Sequence, residues 1–169
     1  MLTCPAWAKP VSHPDFPPTR GEIELKSTAT ATWLVFVDVY DIALYASPNA
    51  QSNTFLKESS PFSLEIRYKV SLSKAQLIEG ADIALSRQHS ERQLAQYQTN
   101  VDALHTFYRD VVEGDRFRLD ISGDNGLSLF FNDELLYQNS NVAFAKYYVG
   151  LWLADNPLSD SVRESLLDW

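Results

Sequence analysis

One stretch of this chain, residues 62–72, alternates strictly between apolar and polar side chains. The apolar positions are Phe62, Leu64, Ile66, Tyr68, Val70 and Leu72. Because successive side chains of a strand point to opposite faces of a sheet, this pattern predicts a β-strand with one buried and one solvated face. The period then changes, because Ser73 to Gln76 forms a capping box and apolar residues recur at helical spacing as far as Leu85. The sequence therefore predicts a one-sided sheet with a helix beside it.

The remaining patterns extend this arrangement. Residue types that favour strands occur over about 22–31, 32–46, 117–121, 127–131 and 134–137, and helical patterns occur over about 91–111, 141–154 and 159–167. Gly-Asp-Asn-Gly at 123–126 tolerates positive φ and predicts a hairpin, and Asn141 and Ser159 are candidate N-caps. Several sequential strands with helices gathered on one face are typical of the α+β class.

Composition excludes several classes of protein. At 169 residues the chain is predicted to form one domain, and no apolar run approaches the roughly 20 residues that a membrane span needs. The net charge is −8 and the Lys and Arg residues are scattered singly, so nucleic acid is not an expected partner.

Motifs for metal, cofactor or nucleophilic chemistry are also missing. Cys4 is the only cysteine, so no internal disulfide can form. His13, His89 and His105 stand far apart in sequence, and we predict no metal site. The chain has no Gly-rich phosphate cradle and no Gly-x-Ser-x-Gly elbow, so we predict no cofactor and no catalytic triad. His105 is expected to be a hydrogen-bonded structural residue.

Residues 1–20 differ from the rest of the chain. They contain five of the eight prolines, and Ala6-Trp7-Ala8 has the small-x-small form of a signal-peptide cleavage site. We interpret 1–20 as a signal-peptide remnant or disordered leader and 21–169 as the folded domain. This interpretation predicts a periplasmic or secreted protein. The alternative is a cytoplasmic protein with a disordered N-terminal tail.

Three short motifs occur in a recognisable order: Val-Tyr-Asp-Ile-Ala-Leu-Tyr at 39–45, Glu-Gly-Asp at 113–115 and Gly-Leu-Trp-Leu at 150–153. In this order and at about these spacings they resemble the bacterial chalcone isomerase-like family. The resemblance runs from about residue 22 to residue 167. It implies an open-faced sandwich, in which a large antiparallel β-sheet is covered on one face by helices.

The resemblance also implies where chemistry would occur. Chalcone isomerases hold a phenolate with an Arg and stabilise the developing enolate with a Thr, a Tyr and an Asn. In this chain the four positions fall near Thr28, Tyr40, Ala75 and Asp82, so none of the four residue types is retained. No Arg lies between Glu22 and Arg67, and the fatty-acid-binding branch of the superfamily also uses an Arg to hold its carboxylate. We therefore predict no catalytic residue and no cyclisation activity.

A cleft between sheet and helices is the candidate binding site. The candidate ligand-binding residues are Trp33, Tyr40, Tyr68, Asp82 and Trp152. The leading hypothesis is non-catalytic binding of a small apolar or amphipathic molecule, either fatty acid-like or aromatic, although aromatic residues of this kind also serve as simple core. One alternative is an isomerase- or lyase-type enzyme with altered active-site residues. The other is an envelope interaction scaffold, which should expose an apolar patch.

Overall fold

The computed structural model describes residues 11–34 and 36–169, and within them a single seven-stranded antiparallel sheet has its strands in chain order. The strands are β1 Thr19–Arg20, β2 Ile23–Trp33, β3 Val37–Ala46, β4 Phe62–Tyr68, β5 Arg116–Ser122, β6 Gly126–Phe131 and β7 Glu134–Asn139. The helices are α1 Lys74–Gln88, α2 Glu91–Thr106, α3 Val142–Leu153 and α4 Asp160–Leu167, with one 3₁₀ turn at Phe55–Lys57. This architecture confirms the predicted α+β open-faced sandwich.

The strand registers place the apolar side chains on one face of the sheet. Ile42 pairs with Ile66 and Leu44 with Leu64, so the apolar residues of β3 and β4 lie side by side. Helix α3 is apolar on all sides, and nine of its twelve residues are buried between the sheet and the other helices. We call this side of the sheet the helix face.

Side-chain caps define the starts of the helices. The predicted capping box at Ser73 is present, with the Gln76 backbone N–H donating to the Ser73 hydroxyl. Asn141 caps α3 and Ser159 caps α4, as expected. Helix α2 ends at Thr106 instead of the predicted 111, because residue 111 leaves the helix to form a β-bridge with Leu72.

Two strand boundaries differ from the predictions. Strand β2 continues to Trp33 instead of ending near residue 31, and Leu34 just beyond it adopts φ 51°. A run of apolar residues gave no turn signal at this place, because Gly or Asn normally marks a positive φ. Strand β4 ends at Tyr68, four residues earlier than predicted.

The second face of the sheet is not solvated as the alternation predicted. Ser63 and Glu65 are only 2% and 1% exposed. Residues 13–20 cover them: Phe16 is buried against this face, and Thr19–Arg20 pairs with β2. The predicted leader over 1–20 is therefore wrong for residues 13–20, whereas its first ten residues lie outside the described ones. We call this side of the sheet the charged face.

Candidate ligand cavity

A cavity of about 640 Å³ lies on the helix face, between the sheet and helices α1 and α3. This volume is within the range of roughly 300–1,000 Å³ that is usual for ligand pockets. Strands β2, β3 and β4 form its floor with Ala31, Trp33, Tyr40, Ile66 and Tyr68. Its helical walls and rim include Leu77, Glu79, Gly80, Ile83, Tyr108, Leu151 and Trp152. The lining is therefore mainly aliphatic and aromatic.

Small residues open the cavity. Ala31 stands opposite Tyr40 in the β2–β3 register, so no large side chain fills the space beside that ring. Gly80 lies in the middle of α1, and a Cβ placed there would have no atom within 4 Å. The lack of a side chain at Gly80 thus leaves open space beside the helix.

The structure brings four of the five predicted ligand-binding residues together. Trp33, Tyr40, Tyr68 and Trp152 all line the cavity. The Tyr40 and Tyr68 rings are cross-strand neighbours in an edge-to-face arrangement, with centroids 6.1 Å apart. Asp82 does not join them: it lies outside the cavity, and its half-exposed carboxylate is 3.9 Å from Nδ1 of His105. Its position on α1 turns it toward α2.

The aromatic residues of the cavity wall carry neutral hydrogen-bonding groups. Burial raises the pKa of Tyr40 to about 12, although the nearby indole N–H of Trp152 partly offsets this effect. Burial also raises the pKa of Tyr68 well above its ordinary value. The Trp152 Nε1–H is buried and has no partner with hydrogen-bond geometry among the described residues. These three residues offer uncharged donors on an apolar wall.

Positive charge is absent from the described lining of the cavity. Glu79 is the only charged residue there, and it is exposed at the rim. Arg67 and Lys69, predicted to be solvated, lie on the charged face, where the Lys69 ammonium is 3.1 Å from the Asp41 carboxylate and Arg67 is 3.7 Å from Asp15. The sheet therefore separates the cavity from these cations.

Comparison with known proteins agrees with this arrangement. A family model described as chalcone isomerase-like matches residues 18–168. The chain belongs to the chalcone isomerase-like family. Among solved structures, a crystal structure of a fatty-acid binding protein from Arabidopsis thaliana is similar with a TM-score of 0.73 and 12% sequence identity, covering 94% of this chain and 95% of the plant chain. That likeness shows a common fold. A search of curated proteins finds no match.

The positions implied by the chalcone isomerase resemblance do not converge on the cavity. Of Thr28, Tyr40, Ala75 and Asp82, only Tyr40 lines it. Thr28 pairs with Ala43, whose side chain belongs to the small apolar cluster of the charged face. Three of the four inferred positions therefore take no part in the lining of the cavity.

A buried hydrogen-bond chain leads away from the cavity and was not predicted. The hydroxyl of Tyr108, a cavity residue, lies 2.5 Å from that of Tyr148, and the Tyr148 hydroxyl lies 2.9 Å from Nε2 of His105. Burial lowers the pKa of His105. Its contact with Tyr148 is the hydrogen bond that was expected of it. Sequence spacing could not reveal the chain, because Tyr148 reaches α2 across about forty residues.

One further group combines His13, Asp15 and Asp41, whose side-chain atoms lie within 4.8 Å of one another on the charged face. Sequence analysis did not find this group because Asp41 is distant in sequence from His13 and Asp15. Lys69 and Arg67 already pair with the two carboxylates, and the Asp15 backbone N–H donates to Nδ1 of His13. These contacts account for the cluster without a metal ion, and the absence of a metal site remains a prediction.

Proposed function

We propose that the protein binds a small apolar or amphipathic molecule in the cavity of the helix face, without catalysing a reaction. The observation that carries the proposal is the 640 Å³ cavity lined by aromatic and aliphatic side chains, with the unpartnered N–H of Trp152 in its wall. The structurally similar plant protein is a fatty-acid binding protein, which supports a ligand of fatty acid-like size and polarity.

The chemistry of the lining supports binding over catalysis. The ring closure of chalcone isomerases requires a cation for a phenolate, and the described lining offers no Arg or Lys. The raised pKa values of Tyr40 and Tyr68 mean that both phenols are protonated at neutral pH, so neither is available as a general base. An enzyme using Asp82 is disfavoured because that carboxylate lies outside the cavity.

Substitution of Gly80 tests the proposal directly. Gly80→Leu should fill part of the cavity, since a Cβ there meets open space, and it should leave the fold as stable or more stable because leucine favours helix over glycine by roughly 1 kcal/mol. Titration with the neutral fluorescent probe N-phenyl-1-naphthylamine should show binding to the wild type and at least about tenfold weaker binding to Gly80→Leu.

Ala75→Leu is the matched control, because Ala75 is exposed on the same helix and lies outside the cavity. This variant should bind the probe like the wild type. Equal probe affinity in Gly80→Leu and the wild type, with both folded, would contradict the proposal.

A second candidate function is an interaction scaffold, favoured by one observation. The tip of the β2–β3 hairpin exposes an apolar patch, in which Trp33, Leu34, Phe36 and Val37 are 65%, 68%, 91% and 42% exposed. A scaffold role predicts that Phe36→Ser abolishes capture of a cellular partner while probe binding in the cavity persists. The ligand-binding proposal predicts that the effect of the protein in the cell is lost in Gly80→Leu and kept in Phe36→Ser.

We further propose that the protein is a bacterial one that acts in the periplasm or outside the cell. The Pro-rich N-terminal sequence and the Ala6-Trp7-Ala8 motif support this location. Cell fractionation after expression from the native gene should place the protein in the periplasmic fraction, with an N-terminus close to Lys9. Recovery only in the cytoplasm would contradict export. None of the helices among residues 11–34 and 36–169 has both the length and the apolar character to cross a bilayer.

A further inference from the structure

We propose that the cavity selects ligands whose polar end is an uncharged hydrogen-bond acceptor, such as an ester, a ketone or a protonated carboxylic acid, and discriminates against carboxylates. This inference deepens the proposed binding function and rests on it. It is carried by the geometry and charge of the cavity wall.

The first observation is the indole N–H of Trp152. Trp152 is only 6% exposed and lines the cavity, and its Nε1–H lies beside the Tyr40 phenol but meets full hydrogen-bond geometry with no acceptor among the described residues. A buried donor without an acceptor is costly, and a native structure rarely contains one without a reason. A carbonyl or ether oxygen on a bound molecule would satisfy it, because indole N–H can only donate.

The second observation is the pair of phenols beside the indole. Tyr40 lies close enough to Trp152 for the indole N–H to affect its phenol, and the Tyr68 ring is the cross-strand neighbour of Tyr40. A phenol can both donate and accept a hydrogen bond. The three residues can therefore donate hydrogen bonds to an acceptor oxygen of a ligand. The two phenol oxygens can also accept a hydrogen bond from the O–H of a protonated acid.

The third observation is the charge distribution around these donors. Among the described residues that line the cavity, the groups able to titrate are Glu79, Tyr40, Tyr68 and Tyr108, and Glu79 alone is charged at neutral pH. A carboxylate buried here would find no cation and would be repelled by Glu79 at the rim. Burying an unpaired charge costs far more than burying a hydrogen-bonded neutral group.

A pH dependence follows that belongs to the ligand. A fatty acid should enter as the neutral acid, so its apparent affinity should fall as the pH rises above the pKa of its own carboxyl group, by up to about tenfold per pH unit. A neutral ester of the same chain length has no such group. Its affinity should stay constant over the same range.

The experiment compares decanoic acid with methyl decanoate by displacement of N-phenyl-1-naphthylamine from the full chain. At neutral pH we expect the ester to bind at least about tenfold more tightly than the acid, and the difference should shrink on acidification. Equal or tighter binding of the acid at neutral pH, with a flat pH profile, would overturn the neutral-acceptor inference and leave the binding function intact. The inference would also be overturned if the probe binds the wild type and not Gly80→Leu, but neither decanoic acid nor methyl decanoate displaces it. A probe that binds neither the wild type nor Gly80→Leu would overturn the proposed function itself.

Two pairs of variants locate the effect. Trp152→Phe keeps the aromatic ring and removes the N–H, so it should weaken ester binding about three- to tenfold. Trp169→Phe is its control, since the Trp169 indole already donates to the Leu166 carbonyl oxygen and does not line the cavity. If both variants weaken ester binding equally, or neither does, the assigned role of Trp152 is wrong.

Glu79→Gln should strengthen binding of the acid relative to the ester at neutral pH by about two- to fivefold, because it removes a rim charge of the same sign as the carboxylate. Glu164→Gln is the control: it removes one negative charge from the exposed surface of α4, away from the cavity. Glu79 and Glu164 are both exposed, so neither substitution is expected to unfold the protein. This comparison therefore tests the inference even if Trp152→Phe is unstable. No change in acid affinity for Glu79→Gln would count against the charge argument.

Discussion

The two faces of the sheet use opposite means to accommodate polar groups. On the charged face, Glu65 is 1% exposed and lies between two arginines: Arg20 donates to it from Nε at 2.6 Å and Arg116 from Nη1 at 2.8 Å. On the helix face, the cavity wall contains neutral phenols and an indole, with no cation among its described residues. A single sheet thus holds a buried carboxylate between two arginines on one side and a cavity wall of uncharged donors on the other.

This difference shows how strand parity decides which charged groups can reach the cavity. Strand parity sends Arg67 and Lys69 to the charged face, where carboxylates neutralise them. A side chain cannot change face without a one-residue shift of the strand, and such a shift would expose the core residues beside it. The register of β4 therefore keeps Arg67 out of the cavity.

The largest expected loss of stability on substitution is at Glu65. Glu65→Gln should lower the free energy of unfolding by about 3 kcal/mol, because it removes the buried carboxylate that pairs with the partly exposed Arg20 and Arg116. Binding of N-phenyl-1-naphthylamine by the folded protein should not change, since the substitution is on the other face. Urea denaturation and probe titration measure the two quantities.

Glu24→Gln is the matched control for Glu65. Glu24 also contacts a cation, with its Oε1 atom 2.7 Å from the Lys26 ammonium, but its side chain is 43% exposed. An exposed ion pair contributes less than about 1 kcal/mol. Similar losses of stability in the two variants would show that burial on the charged face is not what makes Glu65 important.

A smaller effect is expected from the neutral chain beside the cavity. Tyr148→Phe removes a fully buried hydroxyl and leaves the Tyr108 hydroxyl and Nε2 of His105 unpaired. The free energy of unfolding should fall by about 2 kcal/mol, the usual cost of unsatisfied buried polar groups. Tyr137→Phe, whose hydroxyl bonds a partly exposed Asn139, should cost less than half of this amount. An equal loss in the two variants would contradict the special role of the buried chain.

The smallest effect is a pH dependence from His105. Burial lowers its pKa in the folded state, so the unfolded chain takes up a proton more readily as the pH falls. Its contribution to stability is complete above the ordinary value of 6.5 and is lost as the pH falls through this value toward the lower folded one. His105→Gln should therefore lose less stability than the wild type between about pH 7.5 and pH 5.5.

Urea midpoints at the two pH values measure this difference. His89→Gln is a useful comparison, because burial lowers the pKa of His89 as well but its ring is only partly covered. It should flatten the pH dependence less than His105→Gln does. An unchanged pH dependence in His105→Gln would show that the buried imidazole does not control it.

Local patterns predicted the elements well where each pattern was complete within its own segment. The alternation from Phe62 to Tyr68 defined β4 and its apolar face, and the Ser73 hydroxyl with Gln76 three residues later marked the start of α1. Both signals depend on neighbours in sequence. Trp33, Tyr40, Tyr68 and Trp152 were also placed in a shared cleft, because strand parity and the family resemblance pointed to the same side of the sheet.

The predictions failed where a distant segment decides the environment. The burial of Glu65 depends on Phe16 and Arg20, which approach it from a stretch that proline content marked as a leader. Asp82 was assigned to the cleft from an inferred family position, but the rotation of α1 turns it toward His105. Whether the Trp152 N–H finds an acceptor likewise depends on how three elements pack together. No single segment of the sequence contains that information.

The central claim is that the helix-face cavity holds an apolar or amphipathic molecule. Native mass spectrometry of the wild type and Gly80→Leu, each incubated with methyl decanoate and then extracted under denaturing conditions, tests it most directly. The account predicts one bound ester, or one co-purified apolar molecule, per wild-type chain and none on Gly80→Leu. A bare wild-type mass, or the same adduct on both proteins, would contradict it.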